Sequence, residues 1–468
     1  MRFDKFLMTF VVFLSAVTVA AAQDIHIVTP KDAVLINETR HIMDSIRRYR
    51  PTVGLVLSGG GAKGAAHIGV LEYLDSINMP VDMVLGTSMG GLVGGIYALG
   101  YPVSQLDSIV RKIDWSLALS DRVPPEYVSY SEKKYKEKYM ISFPFYYGKD
   151  AGHERKKKIV KTLPEAFDRN DVQRHDGKLE IGADAEGPGT LLRDNLLGSL
   201  PSGYIFGQNV QNIFSSLSVG YQESLDFNNL PIPFACVATE LVSGKAKVWR
   251  DGKITQALRS TMSIPGIFAP VKTDSMVLVD GGMRDNYPTE LARTMGADII
   301  IGVDVSSGSR GYDKINNLGD IVNAGIDMLG RSVYEANVKI PDVNIKPDLD
   351  GYTMMSFDTE SIDKIIESGY QAACDNEDIL LQIKEKVGED SVVRKRKQAV
   401  NINIDSVYVS DIEIRGVTGR EKAILMDKIE IEPGEKVCSK DVENAVAAVF
   451  GTQAYDYVTY EMEGSSEP

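Results

Sequence analysis

Val81 to Gly95, VDMVLGTSMGGLVGG, decides the fold. Val81–Leu85 is a short apolar run of strand length. Gly86-Thr87-Ser88-Met89-Gly90 then forms a turn, and a stretch rich in small residues follows that suits a closely packed helix. This is G-x-S-x-G between strand and helix, a setting in which the turn pushes the serine into an exposed, strained position. Gly86 and Gly90, two residues either side of Ser88, leave room for neighbouring backbone to pass. A serine there has its hydroxyl presented at a helix N-terminus, where the dipole favours negative charge. An ordinary glycine turn also satisfies the pattern, so the neighbours have to decide.

Upstream, Pro51 precedes a buried-strand pattern, Thr52–Ser58 (TVGLVLS). Gly59-Gly60-Gly61-Ala62-Lys63-Gly64 makes a loop, and Ala65–Ile77 reads as a helix with Ile68, Leu71 and Leu74 on one face. Strand, helix, strand, turn and helix in that order predict an α/β fold: a mostly parallel sheet with helices on both faces. Downstream, Pro233–Thr239 is a further strand pattern and Ile254–Ser263 a helix that Pro265-Gly266 ends. Met276–Val279 is a short buried strand running into Asp280-Gly281-Gly282. A helix is expected near Thr289–Met295, a strand over Asp298–Val305, and helices as far as Val387. Residues 23 to 50 form a lead-in segment ending in a helix that carries Ile42 and Ile46.

Composition narrows the classes. At 468 residues the chain has room for two or three domains, and 43% hydrophobic with 25% charged residues is ordinary for a globular protein. A net charge of −14 argues against a nucleic-acid partner. The local basic groups (Lys133 to Lys138, Arg155 to Lys158, Arg394 to Lys397) read as solvated faces or as patches for anionic headgroups. Arg2 and Lys5, the apolar run Phe6–Val19 and Ala20-Ala21-Ala22 read as a signal peptide over residues 1–22, with cleavage before Gln23. The expectation is an exported protein of the periplasm, outer membrane or cell surface. Cys236, Cys374 and Cys438 are too scattered for a disulfide framework, and none of His26, His41, His67, His153 and His175 is spaced as a metal-ligand pair.

A serine nucleophile needs a base. The order Ser, Asp, His is disfavoured, because no histidine follows His175. His153 and His175 lie in an irregular stretch, with Asp171–Pro188 a long polar loop and Tyr127–Tyr147 rich in tyrosine and lysine. Asp280 is the stronger candidate: its strand delivers it to the sheet edge, and Gly281 and Gly282 let the backbone turn away. A plain turn or capping role for Asp280 fits the same position. The N–H groups of Gly59, Gly60 and Gly61, with that of Met89, can converge on an oxyanion. Lys63 either adds positive charge or faces solvent. Gly59, Gly61 and Gly64 also match the dinucleotide pattern G-x-G-x-x-G, but the acid near the required distance, Asp82, begins its strand instead of ending it. Ala65 after Gly64 rules out a Walker A loop.

LSGGGAKGAAHIGVL (57–71), GTSMG (86–90) and VDGG (279–282), in that order, resemble the patatin-like phospholipases, and LRSTMSIPGIFAP (258–270) is similar to that family as well. The resemblance implies a three-layer α/β/α sandwich over residues 51–390, strongest over 51–310. It also implies a serine lipid acyl hydrolase with Ser88 as nucleophile, Asp280 as base, and Gly59, Gly60, Gly61 and Met89 as the oxyanion hole. Gly64, Gly86, Gly90, Gly281 and Gly282 would shape the motifs. No cofactor is needed, and the partner is phospholipid at a membrane surface. Residues 120–200 fit the family weakly and suggest an insertion, with 120–215 a candidate lid and Lys133–Lys161 facing the membrane. After a linker over 391–404, residues 405–468 show a β-α-α-β pattern resembling a POTRA module that stops before its last strand. That module would recruit an outer-membrane barrel or assembly partner. The competing class is a non-catalytic patatin-fold assembly protein.

Overall fold

In the computed structural model the described residues are 30–122, 205–218, 221, 224–273, 275–306, 318–388, 407–417, 419–452, 455 and 458–460. The expected signal peptide, the Lys133–Lys161 surface, His153, His175 and the 391–404 linker lie outside them.

Helices in chain order are α1 Pro30–Arg47, α2 Ala66–Ser76, α3 Met89–Ala98, α4 Val103–Lys112, α5 Trp115–Ala118, α6 Gln208–Leu217, α7 Ile254–Thr261, α8 Thr289–Thr294, α9 Leu318–Asn337, α10 Thr359–Cys374, α11 Glu377–Val387, α12 Arg420–Ile429 and α13 Ser439–Phe450. Strands are β1 Val53–Leu57, β2 Met83–Thr87, β3 Leu225–Asp226, β4 Phe234–Glu240, β5 Ala246–Trp249, β6 Asp251–Gly252, β7 Val271–Lys272, β8 Val277–Asp280, β9 Ile299–Val303, β10 Val343–Ile345, β11 Val407–Tyr408 and β12 Lys436–Val437.

The main sheet runs β10-β9-β1-β2-β4-β8-β7, with β5 also on β4. From β10 to β4 every pairing is parallel. Side chains alternate across such strands, and both faces are covered. Leu55, Leu57, Val84 and Cys236 enter one core with α2, α3, α7 and α10. Val56, Met83, Leu85 and Val237 enter a second core with Leu291 and Met295 of the α8 region and Met43 of α1. The result is a mixed, mostly parallel sheet between two helical layers.

Two differences from expectation concern the margins of this sheet. Helix α1 packs Met43, which is fully buried, into the second layer, so that layer begins some way before Pro51. Asp32 of α1 is also buried beside Arg250, 3.0 Å away. Residues 343–345 form an edge strand on β9 where only helices were expected; three residues are too few for a periodic signal.

The largest difference is the direction of β8. It runs antiparallel to β4, with Ala238 opposite Asp280 and Glu240 opposite Leu278. Strand β4 continues past the end of β2: Val237 is level with Thr87, and Ala238, Thr239 and Glu240 project beyond it. Strand β5 takes one edge of β4 over Cys236–Thr239, so β2 and β8 share the other edge. They lie end to end along it, and their C-terminal ends meet. Asp280 therefore reaches the site by coming in along the overhang of β4, not by leaving the sheet beside Ser88.

Beyond residue 406, β11 pairs antiparallel with β12, which lies between α12 and α13. The observed order is β-α-β-α in place of the expected β-α-α-β. Gly434, at φ +97°, turns the chain and donates its N–H to Val409 O at 2.6 Å, which brings 436–437 back onto 407–408. No strand occurs among the described residues after α13, where the expected pattern placed one.

Candidate active site

Ser88 caps α3 at φ +53° and ψ −127°, a region that residues with a side chain rarely enter. Holding it there costs about 1–3 kcal/mol, which the surrounding contacts must over-determine. Its N–H donates to Thr261 Oγ1 at 2.9 Å, and its carbonyl accepts from Leu92 N at 3.0 Å. Thr261 in turn donates to the carbonyl of Val237 on β4. The crossing of α3 over the sheet needs glycine: a Cβ on Gly86 would strike the Gly90 carbonyl, and one on Gly90 would strike that of Leu57.

The Ser88 Oγ donates to Asp280 Oδ2 at 2.6 Å, and both residues are buried. Asp280 Oδ1 accepts from Gly282 N at 2.8 Å, and the Asp280 N–H donates to Ser263 O at 2.9 Å. Burial pushes the Asp280 carboxyl up to about 6, against the opposing hydrogen bonds from Ser88 and Gly282. Among the described residues Asp280 has no cation beside it to force ionisation, so it is poised to take up a proton. Gly281 sits where β2 and β8 meet, and a Cβ there would collide with the Val237 carbonyl and Thr87 Cγ2.

The glycine loop passes directly over the serine, with the Cβ position of Gly59 about 3.0 Å from Ser88 Cβ. Gly59 is a correction to the expected donor set. Its N–H is spent on Asn286 O at 3.1 Å, because the chain is still in ladder-like register: Ser58 N donates to Val303 O at 3.1 Å. Gly60 and Gly61 open the 3₁₀ turn Gly61–Ala65, and Met89 opens α3; N–H groups at these positions have no intrahelical acceptor. Gly61 has φ +59°, which favours glycine. Gly64 packs onto Met89. Lys63 is buried instead of facing solvent.

Sequence reasoning missed the residues that brace these groups. Asn286 returns a second bond, Nδ2 to Gly59 O at 3.2 Å, and Thr87 Oγ1 donates to Asp285 O at 2.8 Å. One loop, 280–286, thus ties the base, the elbow and the glycine loop together. Thr261 and Ser263 hold Ser88 and Asp280 from the block 258–270. The only signal for these residues was that block's family likeness and the polar residues after Gly282. The dinucleotide reading closes on geometry, while His153 and His175 lie outside the described residues. Asp82 is clamped by Arg50 at 2.7 and 2.8 Å and by Val53 N, at the end of β2 remote from Ser88. His67 is buried with Nε2 2.9 Å from Ser58 O, and burial lowers it to about 4; His41 is exposed on α1.

Ser88, Met89 and Gly61 line a cavity of about 1000 Å³ including its open mouth. Its other walls are Leu92 and Ile96 of α3, Ile109 of α4, Phe214 of α6, Ile267 and Phe357, with little polar surface. Trp115 stacks on Phe357 at 4.9 Å at one side. An apolar cavity with the serine hydroxyl in its lining suits a substrate with a long alkyl chain and one reactive polar group.

A sequence profile described as "Patatin-like phospholipase" matches residues 55–293. The chain is 24% identical over 295 residues to patatin-like phospholipase domain-containing protein 6 of Mus musculus, covering 62% of this chain and 16% of that protein. It is 27% identical over 282 residues to lysophospholipase nte1 of Emericella nidulans (58% of this chain, 13% of that protein). An uncharacterized NTE family protein of Mycobacterium bovis is 25% identical over 261 residues (56% and 51%). The chain thus spans about one sixth of the length of the first of these relatives. Among solved structures, VipD from Legionella pneumophila aligns with TM-score 0.36 and 16% identity over 70% of this chain and 67% of that one.

Proposed function

Because the chain belongs to the patatin-like phospholipase family and is a hydrolase, we propose that it is a serine lipid acyl hydrolase of the phospholipase A or lysophospholipase type. The observation that carries this reading is the 2.6 Å hydrogen bond from Ser88 to Asp280 with Ser88 in the lining of the apolar cavity. The fatty-acyl chain lies in the cavity and the ester carbonyl sits at Ser88. Asp280 takes the hydroxyl proton as Ser88 Oγ attacks. The N–H groups of Gly60, Gly61 and Met89 receive the tetrahedral oxyanion. Collapse breaks the ester bond, the proton passes from Asp280 to the departing alcohol, and an acyl-Ser88 remains. Water then attacks with Asp280 again as base, releasing the fatty acid and restoring Ser88.

The test is fatty-acid release from phosphatidylcholine vesicles, from lysophosphatidylcholine, and from soluble esters of increasing acyl length. Each buried CH₂ contributes about 0.8 kcal/mol, so kcat/KM should rise about fourfold per methylene until the cavity is filled. Equal turnover by Ser88→Ala, or no dependence on chain length, sinks the reading.

Export to the periplasm, outer membrane or cell surface is supported by the charge and hydropathy pattern of residues 1–22, which is that of a signal peptide. A mature protein beginning at Gln23 would bear this out, and one beginning at Met1 would refute it.

A further inference from the structure

We infer that the hairpin tip Leu241–Lys245, between β4 and β5, is the element that inserts into the lipid surface and seats the active site on it. The inference rests on the lipid-substrate reading above. Its basis is the overhang of β4. Three residues beyond the level of Thr87, at about 3.3 Å each, carry the strand about 10 Å past the end of β2. The tip therefore projects from the same edge of the sheet that carries Ser88.

What it projects is apolar. Val242 is 84% exposed and Leu241 45% exposed. Hairpin turns are normally made by Gly, Asn, Asp or Ser, so two aliphatic residues here serve no need of the turn. The tip is also braced. Glu240 N donates to Lys245 O and Gly244 N to Glu240 O, each at 2.9 Å, and Leu241 N donates to Val277 O at 2.9 Å. The Glu240 carboxylate, itself buried, accepts from Ser243 N at 2.6 Å and Val242 N at 3.0 Å. Burial works against its ionisation, yet the Ser243 hydroxyl and these N–H donors hold it below the usual carboxylate range. A buried carboxylate thus fixes a turn that holds two exposed aliphatic side chains in water. A rigid apolar tip beside a lipid-hydrolysing site fits the acyl region of a bilayer, where Leu and Val gain by leaving water.

The full chain should be tested for co-sedimentation with phosphatidylcholine vesicles, alongside Leu241→Ser/Val242→Ser and Val242→Trp. The double variant should lose about tenfold in vesicle partitioning and in turnover of vesicle substrate. Its turnover of a soluble short-chain ester should match the parent, since neither side chain lines the cavity. Val242→Trp should bind more tightly and shift its emission to the blue on adding vesicles. Unchanged partitioning and vesicle turnover in the double variant would overturn the inference, as would a change of oligomeric state in place of vesicle binding. If the parent cleaves no ester at all, the hydrolase reading fails, while partitioning still reports on the tip.

Discussion

The parallel half of the sheet and the antiparallel arm beside it hold their catalytic side chains by different means. On the parallel side Ser88 is fixed locally: strand, turn and helix follow one another, and the cost is a positive φ at a side-chain-bearing residue. On the arm Asp280 is fixed non-locally, by burial, by the Ser263 carbonyl and by lying on the same edge of β4 that β2 uses. One residue is strained and the other desolvated. Both unfavourable states are kept because the two strand ends meet head to head, so each residue supplies the other's hydrogen bond.

Removing the local half should have the largest effect. Ser88→Ala should lower kcat by about 10⁴-fold or more with the fold intact, read by ester hydrolysis and circular dichroism. Removing the charge of the arm comes next: Asp280→Asn should cost about 10³–10⁴-fold in kcat. In the parent, kcat/KM should climb as pH rises through about 6 and then level off, since the base works only when ionised. The sign for stability is the reverse. A carboxyl raised from 3.8 to about 6 favours the folded state when protonated, so this contribution is present below 3.8 and lost as pH rises through about 6. Asp280→Asn should therefore stabilise the protein at neutral pH by as much as about 3 kcal/mol relative to the parent, with little difference at pH 3.5. A denaturant midpoint that falls at neutral pH would contradict this.

The meeting point itself is tested by Gly281→Ala, whose Cβ has nowhere to go between Val237 and Thr87. It should cost about 3 kcal/mol in stability and reduce kcat, because relief of the clash separates Asp280 from Ser88. The smallest effect is expected for Thr261→Val, which leaves the Ser88 N–H unpaired and should cost about 1–2 kcal/mol, or about tenfold in kcat. Thr261→Ser should restore it, and equal activity of the Val and Ser variants would remove Thr261 from the positioning machinery.

The parallel half was readable in advance because its information is sequential. An apolar run, a glycine turn and a small-residue helix occupy adjacent positions, so β1, α2, β2 and α3 come close to the predicted bounds. The arm was not, because nothing in VLVD states its direction; that depends on how far β4 outruns β2. The spending of the Gly59 N–H on Asn286 was hidden for the same reason, since the two residues are far apart in the chain and meet only through Val303 and the 280–286 loop. After residue 406 both helices were expected from the β-α-α-β pattern, but β12 was not: two residues carry no alternation, and only the Gly434 turn makes them a strand.

By itself the sequence determined the chemical types and the local frames: a serine on a strand–turn–helix, a glycine loop ahead of a helix, and a carboxylate before two glycines. These follow from backbone sterics and hydrophobic period, which act over a few residues. Tertiary structure alone decided that Asp280 faces Ser88 at 2.6 Å, that its carboxyl is raised by burial, and that the pair opens into an apolar cavity. Those depend on distances and desolvation between segments nearly two hundred residues apart, and no spacing along the chain encodes them.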